Sequence, residues 1–220
     1  MDKARQFTAR AEEVVVAIRA AFGVPGSTTG LAMSLMFDLC EQSERKEVAS
    51  RLVSLVRENR HRVDYGTIGS GCVLRALFEN GYADDAYLVM VQKEYPGYGY
   101  FAADGELTTF PESWSIDWQS RNHGAFADVV ACMFRYLAGI RHVSECPGRN
   151  YIEIVPCFPK GLADFSATHD GYSVAWRRND GKVICRVTIP AGKSARYRSK
   201  SGEWHELVSG VWTFIESERN

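Results

Sequence analysis

The sequence predicts an α+β fold in sequence order, an incomplete α/α toroid of about six helices followed by an antiparallel β-sandwich. Apolar residues recur at helical spacing in the first part of the chain, most clearly over Ala125–Leu137. After Pro147, short runs rich in β-branched and aromatic residues replace this pattern. Turn dipeptides such as Asp170-Gly171 and Asp180-Gly181 separate these runs. We therefore expect a helical domain over residues 1–147 and a β-domain over residues 148–220.

The helical domain is predicted to alternate buried and half-exposed helices. The first helix, Asp2–Phe22, has one apolar stripe, whereas the second, Gly30–Cys40, is apolar on nearly every side and should be buried, with Thr28 or Thr29 as its cap. The other expected helices are one capped by Ser43, then Gly69–Asn80, Asp84–Gln92 and Ala125–Leu137. This alternation favours antiparallel helix pairs in a toroid. The lack of a strict repeat makes a regular solenoid the lesser alternative.

The composition excludes several classes of protein. A chain of 220 residues with 45% hydrophobic residues, 24% charged residues and a net charge of -1 is typical of a globular protein, not of a nucleic-acid binder. Apolar runs are too short to span a membrane, and Met1–Gln6 lacks the apolar core of a secretory signal, so we expect a cytoplasmic protein. The six cysteines form no CxxC pair and are expected to be buried thiols. We expect neither a metal nor a cofactor. A terpene cyclase or prenyltransferase is disfavoured because the sequence has neither an Asp-rich diphosphate motif nor a Cys/His/Asp zinc site.

A long connection between two predicted helices, Lys93–His123, holds the residues best suited to chemistry; we call it the aromatic segment. Connections of this length in a compact domain are usually functional or disordered, and this one is too aromatic for disorder. Rings beside carboxylates suit a pyranose, whose C–H face stacks while its hydroxyls form hydrogen bonds. The alternative is that the rings only cap the helical core. The acids in the segment are Glu106, Glu112 and Asp117.

The aromatic segment contains three motifs in succession: Tyr95–Tyr100, Thr108–Trp114 and the pair Asn122-His123. In this order they resemble motifs of the bacterial α-L-rhamnosidases, glycoside hydrolase family 78. Outside it, the resemblance continues through Ile68–Leu77 with Gly81, Phe134–Ile140, Pro147–Pro156 and Ser209–Phe214. These motifs resemble the second half of the family's (α/α)6 barrel followed by its C-terminal β-domain.

The resemblance implies a role for particular residues. Glu112 aligns with the general base, His123 with a histidine that contacts the substrate, and Trp114 with the tryptophan that follows the base. Asn122, Tyr98 and Trp118 are further candidates for substrate binding. This sequence departs from the family at two neighbouring positions: the tryptophan before the base is Pro111 here, and the arginine after the base is Ser113.

The implied reaction is the inverting hydrolysis of terminal α-L-rhamnosides, which requires a second carboxyl group as general acid. In the family that acid comes from the first half of the barrel, which these residues do not resemble. We therefore expect the isolated chain to be inactive or nearly so. Its expected partners are a rhamnose-containing glycoside and either a second copy of the chain or a separately encoded N-terminal half. The alternative function is a non-catalytic carbohydrate-binding or scaffolding fragment.

Overall fold

The computed structural model describes residues 3–103, 107–115, 120–143, 146, 148 and 150–217. These residues form two compact units, Met1–Val129 and Val130–Asn220. The first unit is helical and the second is dominated by strands, so the predicted order of helices before sheet is confirmed.

The helical unit is built around two short, almost entirely buried helices. Its elements are α1 Lys3–Phe22, α2 Thr28–Met36, α3 Arg45–Glu58, α4 Thr67–Ser70, α5 Val73–Glu79, α6 Ala83–Met90, α7 Tyr98–Ala103, a 3₁₀ turn Gly124–Phe126 and α8 Asp128–Cys132, whose last residues enter the second unit. Helix α2 packs on α3 and α5, and α5 packs on α6. Leu31 and Leu35 of α2 meet this core together with Leu74 and Leu77 of α5. The predicted burial of the second helix is thus confirmed.

The helix caps and breaks differ from the sequence prediction. Ser27, not Thr28 or Thr29, caps α2, because its hydroxyl accepts a hydrogen bond from the Gly30 N–H at 3.1 Å. The Thr28 hydroxyl instead donates to Asp64 at 2.6 Å. Ser43 does not cap α3, which Glu44 precedes without a side-chain bond to the helix.

Two predicted helices are interrupted. The one expected over Gly69–Asn80 is divided into α4 and α5, since glycines at 69 and 71 weaken the helix at the break. The one expected over Ala125–Leu137 contains the 3₁₀ turn, α8 and then a π-helical turn, Met133–Leu137. Helix α7 lies within the aromatic segment and was not predicted.

Helix α1 is the exception to the packing of this unit. It has no buried residue, and its predicted apolar stripe is open, with Phe7 74% and Phe22 75% exposed. Arg19 holds the C-terminal end of α1 by donating to the carboxylate of Glu41 and to the carbonyl groups of Asp38 and Cys40. The helix is therefore fixed at one end while its apolar face remains uncovered.

The second unit contains one six-stranded sheet. Its strands are β1 Ile140–His142, β2 Tyr151–Ile154, β3 Asp164–His169, β4 Tyr172–Asn179, β5 Lys182–Arg198 and β6 Trp204–Ser217. The order is β1-β2-β5-β4-β3, with β6 paired along β5. Strands β2 and β5 are parallel, and the other pairs are antiparallel. The predicted antiparallel sandwich of two sheets is therefore replaced, among the described strands, by one connected mixed sheet.

Strand β5 explains this difference. It is 17 residues long, and its pairing with β6 shifts register between Ile189 and Ser194. Its first part pairs with β4 and its last part with β2. Val187 from the first part and Tyr197 from the last part nevertheless enter the same buried core. The sheet therefore curls around a single core, as a barrel does.

The transition from helix to strand lies earlier than the boundary expected at residue 147, a residue outside the described set. Strand β1 already pairs with β2, and the indole N–H of Trp176 in β4 donates to the carbonyl of Leu137 at 2.8 Å in the buried core. The π-helical turn and β1 thus belong with the sheet because their backbone groups are bonded within it.

Within the described ranges, no helix has both the length and the apolar character that crossing a membrane requires. Four of the cysteines are buried, at positions 40, 72, 132 and 185, as predicted, whereas Cys146 is exposed. Burial raises the pKa of the Cys185 thiol to about 12. The described residues also contain no group of three or more His, Cys, Asp or Glu side chains placed to hold a metal ion.

Asp85 forms the main buried ion pair of the helical unit. It is 6% exposed, and its carboxylate accepts two hydrogen bonds from Arg57, both at 2.8 Å, and one from His61 at 3.0 Å. Burial raises the pKa of Asp85, but the hydrogen bonds from Arg57 and His61 and the charge of Arg57 lower it more, so the pKa lies below its usual range. These contacts join the end of α3 to the start of α6.

We expect this pair to make the stability of the helical unit sensitive to acid. A carboxyl group with a lowered pKa in the folded state stabilises fully above its unfolded pKa of about 3.9, and this stabilisation is lost as pH falls through the lower folded value. Asp85→Asn should reduce the free energy of unfolding by roughly 1–3 kcal/mol at neutral pH and flatten its decline below about pH 4. Urea unfolding at several pH values measures both effects. Asp180→Asn, in an exposed turn, is the control, and an equal acid response in both variants would contradict the assignment.

A second prediction concerns Gly139, which ends the π-helical turn with φ +74°. A Cβ atom there would lie 2.2 Å from the backbone of both Val155 and Pro156, whereas Gly181 has a similar φ of +72° and open space. Gly181→Ala should therefore lower the free energy of unfolding by only about 1–2 kcal/mol, because alanine is strained in the left-handed conformation. Gly139→Ala should cost more than about 3 kcal/mol, because backbone must also move. Thermal unfolding of the two variants tests this, and equal losses would exclude the close approach.

Candidate active site

Four aromatic rings, three of them from the aromatic segment, pack into one cluster. Tyr98 and Phe101 come from α7, Trp114 from the predicted base motif and Phe126 from the 3₁₀ turn. Trp114 stacks on Phe101 with ring centroids 4.7 Å apart and an angle of 5°, and it lies 4.6 Å from Phe126 and 5.6 Å from Tyr98. We call these four residues the aromatic cluster. Its rings pack edge and face on each other, which contributes stability beyond burial alone.

Trp114 is also fixed by a polar contact. Its indole N–H donates to the carbonyl of Tyr65, in the segment before α4, at 3.1 Å. The Trp114 side chain is half-buried, so most of the ring and its only donor are used inside the protein. The indole of Trp114 is thus held against the segment before α4.

Glycines allow the start of the aromatic segment to lie against the end of α6. A Cβ at Gly97 would lie 2.4 Å from the carbonyl oxygen of Gln92, and one at Gly99 would lie 2.6 Å from that of Val91. The N–H of Tyr100 donates to the Gln92 carbonyl at 3.1 Å. The close backbone approach therefore requires glycine at both positions and leads the chain directly into α7.

Glu112 lies where two short stretches of the aromatic segment are paired. The Glu112 N–H donates to the Ser120 carbonyl at 2.8 Å, and the His123 N–H donates to the Phe110 carbonyl at 2.8 Å. The hydroxyl of Thr109 donates to the carbonyl of Arg121. The side chain of Glu112 is exposed, and its carboxylate accepts a long hydrogen bond from the Ser120 N–H at 3.4 Å. The backbone of Glu112 is thus held while its carboxylate faces solvent.

The same pairing brings in the Asn122-His123 motif. His123 Nδ1 accepts a hydrogen bond from the Ala125 N–H at 3.1 Å, so His123 caps the 3₁₀ turn. Since Nδ1 is an acceptor, the proton of the neutral ring is on Nε2, which can donate to a ligand. Asn122 is exposed, and its backbone carbonyl accepts a hydrogen bond from the Ser120 hydroxyl at 3.1 Å. Together, the two stretches present a carboxylate, an amide and an imidazole donor.

The structure thus divides the candidates named from the sequence. Glu112, Asn122 and His123 are exposed, whereas Tyr98 and Trp114 belong to the aromatic cluster. Trp118 lies outside the described residues, as do Glu106 and Asp117. Sequence reasoning missed Tyr65, Ser120 and Phe126, which hold the segment. Tyr65 and Ser120 use mainly backbone atoms for this, and no residue type indicates such a role.

Comparison with known proteins connects this arrangement to a family. Residues 1–137 match the family described as the bacterial alpha-L-rhamnosidase 6 hairpin glycosidase domain. An alpha-L-rhamnosidase of Streptomyces avermitilis is 27% identical over 213 residues, which cover 89% of this chain and 20% of that protein. One of Alteromonas sp. strain LOR is 26% identical over 182 residues, covering 77% of this chain and 20% of that protein. The chain therefore spans about a fifth of the length of these curated relatives.

Solved structures share the fold. The native alpha-L-rhamnosidase from Aspergillus terreus has a TM-score of 0.88 at 24% identity, over 97% of this chain and 27% of that one. The Streptomyces avermitilis alpha-L-rhamnosidase complexed with L-rhamnose has a TM-score of 0.84 at 22% identity, over 96% of this chain and 24% of that one. Since the family match extends over more than half of the residues, this chain belongs to the bacterial α-L-rhamnosidase six-hairpin glycosidase family.

Proposed function

We propose that this chain forms part of an inverting glycoside hydrolase for terminal α-L-rhamnosides, with Glu112 as the general base. The observation that carries the proposal is the exposed carboxylate of Glu112 on a backbone that pairing with Ser120 and packing of Trp114 hold in place. The names of the curated relatives support rhamnosides as the substrate class. One structural neighbour was solved with L-rhamnose bound, which supports the same sugar.

The proposed reaction uses Glu112 to remove a proton from a water molecule as that water attacks the anomeric carbon. In an inverting mechanism a carboxylic acid on the other face protonates the leaving oxygen, and the two carboxyl groups lie roughly 6.5–9.5 Å apart. We propose that the acid comes from a part of the barrel beyond these 220 residues. The small share of the relatives' length that the chain spans supports this.

Asn122 and His123 are proposed to orient the sugar. The His123 ring accepts at Nδ1 from its own turn, so its Nε2–H is available to donate to a sugar hydroxyl. The Asn122 amide can both donate and accept. Trp118 remains a proposed contact. For Tyr98 and Trp114 we now propose a positioning role, since their rings pack inside the aromatic cluster.

The open face of α1 is proposed to pack on the rest of the barrel. Its exposed stripe is typical of a helix that meets another apolar face. A separately encoded first half or a second copy of the chain could provide that face. The alternative function, a non-catalytic carbohydrate-binding or scaffolding fragment, would use the same exposed groups without hydrolysis.

The role of Glu112 is tested by its substitution. We expect the isolated chain to hydrolyse an aryl α-L-rhamnoside poorly or not at all, because the contribution of a general acid, about 10²–10⁴-fold, is missing. Any L-rhamnose binding measured by calorimetric titration should weaken about tenfold in Glu112→Ala, which loses a charged acceptor. Glu58→Ala, exposed on α3, is the control. Rhamnose binding that is equal in both variants would remove Glu112 from the site.

Substitution of Trp114 separates a positioning role from sugar stacking. Trp114→Ala should lower the free energy of unfolding by about 3–5 kcal/mol, because it leaves a cavity in the aromatic cluster. Trp114→Phe should cost only about 1 kcal/mol, since it mainly loses the hydrogen bond to Tyr65. Trp204→Ala, where the ring is 40% exposed on β6, is the control for chemical denaturation. A Trp114→Ala variant with unchanged stability but no sugar binding would show the opposite role.

A further inference from the structure

A concave site lies in the sheet unit, where the turn between β5 and β6 meets the last residues of β6. The cavity has a volume of about 630 Å³, within the range of small-molecule pockets. Its lining is contributed by the turn between the two strands and by the last residues of β6. We call it the hairpin pocket. It shares no residue with the aromatic segment, so its chemistry can be judged independently of Glu112.

The most deeply buried polar group of the hairpin pocket is Glu216, which is 6% exposed. One carboxylate oxygen accepts from the Tyr197 hydroxyl at 2.7 Å, and the other accepts from the Lys200 N–H at 3.0 Å. A carboxylate has about four acceptor positions, so these two bonds fix its orientation and leave acceptor capacity. Burial raises the pKa of Tyr197, which keeps its hydroxyl a donor.

Aromatic rings form one side of the hairpin pocket. Phe214 stacks on Tyr197 with centroids 3.8 Å apart and an angle of 11°. His205 lies 5.3 Å from Phe214 at 46°, and both residues are half-buried and line the cavity. Such a wall beside carboxylates offers apolar contact next to hydrogen-bond acceptors.

The rim of the hairpin pocket carries further hydrogen-bond donors and acceptors. The hydroxyls of Ser199 and Ser201 are 2.7 Å apart, and the carboxylate of Glu203 is 4.0 Å from His205 Nε2. The Lys200 ammonium donates to the Ser217 carbonyl at 3.1 Å. Hydroxyls, carboxylates and an ammonium around one cavity match a neutral polyhydroxyl ligand better than an ion of either sign.

We propose that the hairpin pocket binds a single pyranose unit. This carbohydrate site in the sheet unit is separate from the one proposed at Glu112. Sugar hydroxyls would donate to Glu216 and Glu203 and accept from the rim serines, while a C–H face of the ring rests on Phe214 and His205. The hairpin end could satisfy its own polar groups without a ligand. The Glu216 carboxylate bonds Tyr197 and Lys200, but it also lines a cavity large enough for a sugar ring and retains acceptor positions.

Backbone amide NMR of the full chain tests this proposal. Methyl α-L-rhamnopyranoside and methyl β-D-glucopyranoside are titrated to roughly 0.1 M, which detects millimolar dissociation constants. The rhamnoside as a probe rests on the proposed function, and the glucoside does not. We expect saturable shifts in the amides of residues 199–217 with at least one glycoside. The shifts should persist in Glu112→Gln. In the double variant Glu203→Gln/His205→Ala, the dissociation constant obtained from the shifts should rise about tenfold.

Glu58→Gln serves as the control of equal charge change, and near-native spectra establish that each variant is folded. Shifts confined to residues 107–123 would support the proposed active site and overturn the hairpin pocket. Shifts at residues 199–217 that survive the double variant would also overturn it, as would the absence of any saturable shift there. Hydrolysis plays no part in these readouts, so failure of the proposed function would be seen separately.

Discussion

The packing of Trp114 is the constraint on which the candidate active site depends. An exposed glutamate in a long connection has no fixed position of its own, because conformational entropy favours many loop states. Two residues after Glu112, the indole of Trp114 is stacked on Phe101 and bonded to the carbonyl of Tyr65. The pairing of Glu112 with Ser120 holds the other side. Catalytic groups need this kind of support from buried neighbours if they are to act without reorganisation.

This arrangement also explains why the aromatic segment could not be interpreted from its composition alone. A sugar-binding wall and a cap over the helical core both require rings close together in the sequence. In the structure, Tyr98, Phe101 and Trp114 pack on each other within the aromatic cluster. Tyr95 and Tyr100 of the same segment remain exposed, as do the polar residues Glu112, Asn122 and His123. Motif order names Glu112 as the base candidate, but it does not show how the neighbouring rings pack.

The fold was predictable where local pattern and tertiary packing agree. The apolar α2 is buried because no face of it suits water, and the helix-to-strand order follows from periodicity. The curled sheet was not predictable. The buried residues of β5, from Val183 to Tyr197, all lie at odd-numbered positions and so face the same side. Between these two residues, however, Pro190 and Gly192 are typical of the end of a strand. Pairing with β6 on both sides of the register shift keeps β5 one strand, and such pairing is not a local property of the sequence.

The two units differ in how completely they bury their own apolar surface. The sheet curls around a core drawn from both parts of β5, so its interior is enclosed by its own strands. The helical unit buries α2 and α5 but leaves α1 without a single buried residue. Since burial of apolar area is the main favourable term in folding, the helical unit gains further stability from any surface that covers α1. The proposed hairpin pocket needs no such addition, whereas the hydrolysis proposed at Glu112 requires a second carboxyl group on the other side of the sugar.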